Sequence, residues 1–331
     1  MLPSPGSVVA QRVVFEHLAG SGGMGAVYRA RDLQDGGLVA CKVLHLSNPS
    51  RSELERFARE AKLLSSLNHS GIVRYIAHGQ TPEGHPFLAM EWLEGESLET
   101  LIEGRCLQLD EALRLTRTVA EALATAHQRG IIHRDLKPSN LFLRQGRVEG
   151  VTLLDFGVAR GSGQTKSRQI THTGVVVGTP GYMAPEQARG QTEVSPSVDI
   201  FALGCVLFEC LTGTSPFAGE YLETILVKIL FEAAPSLRSL RPSLPESLDQ
   251  LIAQMLCKDP SRRIPDATAL LRLLDQLELE GKLDSSTQPG LQPRTLTGPE
   301  QQLVSVLVSW TSAQLGHEQT TDLGTEQRSS G

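Results

Sequence analysis

The sequence has few cysteines, and none lies in a pattern that a disulfide framework or a metal site would use. Five occur among 331 residues, they are scattered, and no two form a C-x-x-C pair. This argues for reduced, buried thiols in a cytoplasmic protein. The five are Cys41, Cys106, Cys205, Cys210 and Cys257.

Long apolar runs are also missing. The longest, Val198 to Leu211, is interrupted by Gly204 and Glu209 and is shorter than the roughly 20 residues that a membrane-spanning helix needs. Residues 1–12, an amino-terminal extension, lack the basic start and apolar run of a signal peptide. We therefore expect a cytoplasmic location and no membrane span.

The chain carries no excess of positive charge. It has 31 Lys and Arg against 37 Asp and Glu, a formal net charge of -6, so nucleic-acid binding through bulk positive charge is not expected. With 40% hydrophobic and 21% charged residues, the composition is ordinary for a soluble globular protein. A chain of this length can form two lobes, each with its own core.

Two short motifs carry the chemistry. HRDLKPSN spans residues 133–140, and DFG follows at 155–157. Asp135 is a carboxylate that can accept a hydroxyl proton, Lys137 can neutralise charge, and Asn140 with Asp155 can hold magnesium through oxygen atoms. Phosphoryl transfer from a nucleotide to an alcohol requires this combination. A lone DFG is typical of a surface turn, so the interpretation depends on the other motifs.

A glycine-rich stretch near the amino terminus predicts contact with phosphates, because backbone amides without a β-carbon can approach phosphate oxygens. The same spacing occurs in dinucleotide-binding turns, which need a helix directly after the glycines. Here β-rich segments follow instead, at Val27 to Arg31 and at Leu38 to Leu44. This order favours a nucleotide loop between strands. The glycines are Gly20, Gly22 and Gly25.

Further periodicities predict the remaining elements. Glu53 to Leu67 reads as an amphipathic helix in which Glu60 flanks the apolar stripe. Strands are predicted at 72–77 and 86–91. A helix is predicted from Asp110, as its N-cap, to Arg129, and the apolar segment that follows residue 197 predicts a buried central helix.

In this order the motifs resemble the eukaryotic-type protein kinases. GGMGAVY at 22–28 and GTPGYMAPEQ at 178–187 look like the bacterial serine/threonine members, and the resemblance covers roughly residues 13–277. It implies an α+β, bilobal protein-kinase fold. The small, mainly β N-lobe, with helix αC, would span residues 13–91, and the hinge with the larger, mainly α C-lobe would span 92–283. The implied activity is transfer of the ATP γ-phosphate to Ser and Thr hydroxyls of proteins.

The resemblance also implies residue roles. Lys42 would bind the α- and β-phosphates and pair with Glu60, Asp135 would accept the hydroxyl proton, and Lys137 would neutralise the transferring group. Two Mg²⁺ ions, with Mn²⁺ as the alternative, would lie on Asn140 and Asp155. A simple core strand is the alternative for residues 87–93, the segment that would enter the hinge. The predicted ATP contacts are Gly20, Gly22, Gly25, Val27, Lys42, Met90 as gatekeeper, Glu91, Leu93, Asn140 and Asp155.

Regulatory and structural roles follow in the same way. Arg134 would meet a phosphorylated residue of the activation segment. Thr171 and Thr173 are the candidate autophosphorylation sites, although a solvated loop is the alternative for this segment, and self-association of kinase domains would serve that reaction. The remaining structural assignments are Thr179 at the substrate pocket, Asp199 beneath the catalytic loop, and an ion pair between Glu186 and Arg263.

Two other functions are disfavoured by the sequence. A pseudokinase scaffold usually lacks one of five residues, all present here: Lys42, Glu60, Asp135, Asn140 and Asp155. A small-molecule phosphotransferase is disfavoured by Thr179 and by APE at 184–186, which shape a groove for protein substrates.

The last part of the chain differs in composition. Residues 284–299 are rich in Ser, Thr, Gln, Pro and Gly and predict a flexible linker. Residues 300–331 are a tail with one predicted strand, which is either the start of a truncated further domain or a strand that docks on the kinase or a partner.

Overall fold

The computed structural model describes residues 4–22, 25–44, 50–156 and 180–279. Its amino-terminal part is a six-stranded antiparallel sheet in the order β1-β2-β3-β4-β6-β5. A helix, α1, lies in sequence between β4 and β5. The bounds are β1 Val8–Val9, β2 Val13–Gly22, β3 Gly25–Asp32, β4 Leu38–Leu44, α1 Arg51–Ser65, β5 Tyr75–Gln80 and β6 Pro86–Glu91.

The two faces of this sheet have different environments because side chains alternate along a strand. On β4, Val39, Cys41 and Val43 are at most 1% exposed and join the core of the lobe. Ala40 and Lys42 lie on the other face and are half-buried. The alternation therefore presents Lys42 to the cleft side of the sheet.

Helix α1 begins two residues earlier than predicted, because Ser50 caps it. The Ser50 hydroxyl accepts from the Glu53 backbone N–H, and the Glu53 carboxylate accepts from the Ser50 N–H at 2.7 Å, which forms a capping box. Phe57, Ala61 and Leu64 are buried, as the predicted apolar stripe requires.

The larger part is mainly helical and contains a small antiparallel sheet in the order β7-β8-β9. Helix α3 packs against α5 and α9. The bounds are β7 Gly95–Ser97, α2 Leu98–Gly104, α3 Leu109–His127, β8 Leu141–Arg144, β9 Val151–Leu153, α4 Pro185–Ala188, α5 Ser197–Thr212, α6 Leu222–Phe231, α7 Leu237–Leu240, α8 Glu246–Met255 and α9 Ala267–Leu279.

The start of α3 corrects one prediction. Its N-cap is Gln108 and not Asp110. Leu109 is only 8% exposed as the first helical residue, and the Glu111 carboxylate accepts from the Gln108 N–H at 3.0 Å. The helix therefore starts early enough to bury Leu109.

Helix α5 is the centre of the larger lobe, since 14 of its 16 residues are buried. This is the buried central helix that the sequence predicts. Within the described ranges, no helix combines the length and apolar character needed to cross a bilayer. The predicted linker and tail, residues 284–331, lie outside the described residues and stay predictions.

Gly204 allows α8 to pack closely on α5. A β-carbon at this position would lie 2.9 Å from Met255 Cβ and 3.0 Å from Leu256 Cδ2. Overpacking of this kind costs about 1–3 kcal/mol. We expect Gly204→Ala to lower the free energy of unfolding by that amount in urea titrations. Gly104→Ala should not lower it, because a β-carbon added at Gly104 would meet no atom within 4 Å. Equal stability of the two variants would contradict this packing.

Candidate functional site

The loop that contains Asp135 is fixed from below by α5. The Asp199 carboxylate, 1% exposed, accepts the backbone N–H groups of His133 and Arg134, each at 2.8 Å. Arg134 has a φ of 64°, the left-handed region in which a non-glycine residue needs support from its surroundings. Asp199 thus holds the strained turn just before Asp135, which agrees with its predicted place.

His127 belongs to the same network, and the sequence analysis missed it. Its Nε2 lies 2.9 Å from Asp199 Oδ2, and its Nδ1 accepts from the Ala267 backbone N–H at 3.3 Å. Because Nδ1 accepts, the proton lies on Nε2 and is donated to Asp199. No motif contains His127, which looked like an ordinary residue at the end of a helix.

We expect His127→Leu to lower the free energy of unfolding by about 1–3 kcal/mol, because it removes a buried donor from Asp199. His127→Gln should retain most of the stability, since its amide can both donate to Asp199 and accept from Ala267. Urea unfolding of both variants measures the difference. A leucine variant as stable as the glutamine variant would contradict the role of this bond.

His133 is fully buried and acts as a packing residue. Its Nδ1 accepts from the Asp135 N–H at 3.3 Å, and its Nε2 lies 2.8 Å from the Leu154 carbonyl oxygen. Its ring lies 4.7 Å from that of Phe156. The ring therefore joins the residue before Asp155 to the loop of Asp135.

Asn140 links Asp135 to the residue before the DFG segment. Its Nδ2 donates to the Asp135 carbonyl oxygen at 2.7 Å and to Asp135 Oδ2 at 3.4 Å, and its backbone carbonyl accepts from the Leu154 N–H at 2.9 Å. Because Nδ2 is used in this way, the Oδ1 oxygen is the Asn140 atom that remains for a cation. Amide and carboxylate oxygens suit Mg²⁺, so Asn140 and Asp155 fit the predicted metal.

The predicted partner of Lys42 is not the observed one. Lys42 Nζ lies 2.6 Å from Asp155 Oδ2, with the two side chains 17% and 33% exposed, and no ion pair joins Lys42 to Glu60, both of which are described. Asp155 has a φ of 50°. The left-handed backbone at Asp155 and the alternation of β4 bring these two charges together.

Glu60 lies instead near positive charges on its own helix and on the loop that contains Asp135. Burial raises the pKa of its carboxyl group, while the charges of Arg56, Arg134 and Arg59 lower it to a smaller extent. A half-buried carboxylate in this place has lost hydration without gaining an ammonium partner. The predicted ion pair between Lys42 and Glu60, both of which are described, is therefore not formed in this structure.

The glycines differ in what they do. Gly22, the last residue of β2, pairs with Gly25, the first residue of β3. A β-carbon on Gly25 would collide with the Val43 carbonyl oxygen, whereas one on Gly20 would meet no atom within 4 Å. The close packing of β3 on β4 thus requires glycine at position 25, whereas position 20 has room for a β-carbon. Val27 lies opposite Lys42 in the β3–β4 register, on the same face of the sheet.

The segment from Met90 to Leu93 leads from β6 towards the second lobe. Met90 is 6% exposed and pairs with Ala40 and Tyr75 on the neighbouring strands. In the part of the chain that the structure describes, neither the N–H nor the C=O of the Leu93 backbone makes a hydrogen bond. These groups are available to an adenine edge.

Below this cleft, Glu186 and Arg263 form the ion pair that the sequence predicts. Arg263 Nη1 and Nη2 lie 2.7 and 3.0 Å from Glu186 Oε1 and Oε2, and the side chains are 0% and 4% exposed. A separate concavity is lined by Asp135, Lys137 and Tyr182 among others. It therefore adjoins Asp135.

Three predicted residues, Thr171, Thr173 and Thr179, lie outside the described residues. Within the described residues, no group of three or more His, Cys, Asp or Glu side chains has the arrangement of a metal site. The five cysteines are free thiols.

Comparison with known proteins gives a consistent result. The sequence profile of the family described as "Protein kinase domain" matches residues 13–272. Serine/threonine-protein kinase pkn3 of Myxococcus xanthus is 34% identical over 302 residues, which cover 89% of this chain and 55% of that protein. Serine/threonine-protein kinase PrkC of Bacillus subtilis is 38% identical over 264 residues, covering 79% and 40%.

Two solved structures are similar. A variant of the Mycobacterium tuberculosis PknI kinase domain is 25% identical with a TM-score of 0.63, covering 84% of this chain and 100% of that one. Rad53, solved in complex with AMP-PNP, is 26% identical with a TM-score of 0.62, covering 77% and 62%. The chain spans 55% or less of the length of the curated relatives named above.

Proposed function

We propose that this chain, which belongs to the protein kinase family, transfers the γ-phosphate of ATP to serine and threonine hydroxyls of proteins. The observation that carries the proposal is the cluster in which Asn140 and Asp199 hold the Asp135 loop, next to the DFG segment. Relatives named as serine/threonine-protein kinases support the acceptor class.

Asp135 would orient the acceptor hydroxyl and accept its proton, which is general-base catalysis by a positioned carboxylate. Its backbone is fixed through His133 and Asn140, so the carboxylate is placed before the substrate arrives. Lys137 follows two residues later and would neutralise charge on the transferring group.

ATP would lie between the glycine-rich segment, residues 20–25, and the hinge, residues 91–95. The Leu93 backbone groups would hydrogen-bond the adenine, with Met90 behind them and the Glu91 carbonyl alongside. Gly20, Gly22 and Gly25 would allow amides near the phosphates. The AMP-PNP complex of Rad53, a similar structure, supports an adenine nucleotide.

Asn140 and Asp155 would hold Mg²⁺, or Mn²⁺ as the alternative, and the ion would neutralise phosphate charge when bound. The structure has Lys42 paired with Asp155. In the active arrangement Lys42 would bind the phosphates and pair with Glu60, which releases the Asp155 carboxylate. We therefore propose that α1 moves Glu60 towards Lys42 when the enzyme is active.

Activation would follow from phosphorylation of Thr171 or Thr173 by a second copy of the chain, and Arg134 would bind the new phosphate. Thr179 would line the acceptor pocket. Use of ATP and the five free thiols favour the cytoplasm.

The acceptor class is tested by offering the purified chain ATP and Mg²⁺ with a generic basic protein, a tyrosine-only peptide or an aminoglycoside. We expect phosphate only on serine and threonine of the protein, and loss of transfer in Lys42→Met. Preferred transfer to the aminoglycoside would contradict the proposal.

A further inference from the structure

The hinge, residues 91–95, is held at Glu91 and at Glu94 by two consecutive residues, Arg144 at the end of β8 and Gln145 just after it. Arg144 Nη2 lies 2.8 Å from Glu91 Oε1 and Nη1 lies 3.5 Å from Oε2. The Gln145 N–H donates to the Glu94 carbonyl oxygen at 2.9 Å. The end of β8 and the residue after it therefore fix the position of the hinge.

Arg144 is itself fixed by the small sheet of the larger lobe. Its Nε donates to Thr152 Oγ1 at 2.9 Å, and the Thr152 hydroxyl lies 3.3 Å from the Gly150 carbonyl oxygen. Thr152 on β9 is fully buried. One planar guanidinium thus binds β9 and Glu91 at the same time, which a lysine ammonium cannot reproduce in the same geometry.

Glu91 is also held from the other lobe. Its Oε1 accepts from the Arg74 backbone N–H at 3.0 Å, and its own N–H donates to the Arg74 carbonyl oxygen at 2.9 Å. The Glu91 carboxylate therefore links Arg74, in the segment before β5, to Arg144 at the end of β8. Because this bridge crosses the hinge, it limits where the hinge backbone can lie.

Two residues of the hinge, Gly95 and Leu93, show why its position matters. A β-carbon on Gly95 would collide with the Leu143 carbonyl oxygen, so the hinge passes against β8 with no room to shift inward. The Leu93 backbone groups, without a hydrogen bond to any described residue, lie between the two fixed residues, Glu91 and Glu94. Their position follows from that of these two residues.

We propose that Arg144 is a positioning residue for the adenine base: by holding Glu91 it sets the place of the hinge backbone groups that bind the base. The inference rests on the proposed function, because it assumes that the hinge binds adenine. Arg144 contacts no reacting atom, so its replacement should change nucleotide affinity and leave the chemical step intact.

We expect Arg144→Met to raise the KM for ATP about 5- to 10-fold, with kcat within about twofold and the KM of the acceptor unchanged. Arg144→Lys should recover part of the loss. Glu91→Gln should act in the same direction, and Arg144→Met combined with Glu91→Gln should cost less than the sum, because both changes remove one interaction.

The control is Arg105→Met. Arg105 pairs with Glu111 at 2.9 Å with side-chain exposures of 43% and 22%, against 37% and 20% for Arg144 and Glu91, and it lies between α2 and α3, outside the hinge. We expect it to leave the KM for ATP unchanged. It measures what the loss of a similar ion pair does by itself.

Calorimetric binding of adenosine and of inorganic triphosphate separates positioning from general damage. Arg144→Met should weaken adenosine binding by the same factor as ATP binding and leave triphosphate binding unchanged. If adenosine affinity is unchanged, or falls as much in Arg105→Met, the inference is wrong. If Arg144→Met weakens adenosine binding as expected but the wild type transfers no phosphate, the positioning role of Arg144 stands and the proposed activity fails.

Discussion

Asp135→Asn is expected to lower kcat by about 10²- to 10⁴-fold, the contribution that a positioned general base makes, with ATP affinity unchanged. Asparagine has the shape of aspartate, and its backbone keeps the bonds to His133 Nδ1 and Asn140 Nδ2. It lacks a carboxylate that can accept the hydroxyl proton. Steady-state kinetics with a generic basic protein and ATP titration measure the two quantities.

The control for this change is Asp110→Asn, an aspartate 53% exposed in an ion pair with Arg114. It removes a carboxylate at the surface and should leave kcat unchanged. A kcat for Asp135→Asn within a factor of ten of the wild type would contradict general-base catalysis by Asp135. A fall accompanied by lost ATP binding would show that the residue supports the nucleotide site instead.

The largest expected loss of stability is at the buried pair of Glu186 and Arg263. Removing one partner of a buried ion pair costs about 3–5 kcal/mol, because the other charge stays buried without compensation. Arg263 also donates to the carbonyl oxygens of Cys257 at 2.8 Å and Ser197 at 3.0 Å. It donates to the Lys258 carbonyl oxygen as well, at 3.3 Å. Arg263→Met therefore leaves a carboxylate and three carbonyl groups without their donor, and urea unfolding should show a loss in this range.

An exposed pair provides the comparison. Arg51 and Glu55 are 93% and 59% exposed, and such pairs contribute about 0–1 kcal/mol, so Arg51→Met should change stability little. Glu186→Gln combined with Arg263→Met should cost less than the two single changes added together, since the pair is then absent as a unit. A loss below about 1 kcal/mol for Arg263→Met would contradict the assigned contribution of the buried pair.

The sequence predicted those parts of the site that depend on local pattern and spacing. The β-rich segment from Leu38 to Leu44 is a strand, as predicted, and the alternation of a strand places Lys42 on the face opposite the buried Cys41. The apolar pattern predicts α5 as a buried helix, and Asp199 at its start meets the catalytic loop. The strand and the helix follow from the period of the pattern, which a sequence displays directly, whereas the place of Asp199 was implied by the resemblance to the kinases.

Contacts that depend on how separate elements pack together were either not predicted or predicted with the wrong partner. Lys42 pairs with Asp155 and not with Glu60, because the choice between two carboxylates depends on where α1 lies relative to β4. His127 and Arg144 gain their contacts from Asp199 and Glu91, which are 72 and 53 residues away. No local pattern encodes such pairs.

The most direct test of the proposed function is to incubate the wild-type chain and Asp135→Asn with ATP and Mg²⁺ and to map phosphorylated residues by mass spectrometry. We expect phosphoserine or phosphothreonine in the wild type, at Thr171 or Thr173 and on an added basic protein, and a rate of incorporation lower by about 100-fold or more in the variant. A wild-type chain that binds ATP and transfers nothing to itself or to the added protein would contradict the enzyme and favour a scaffold.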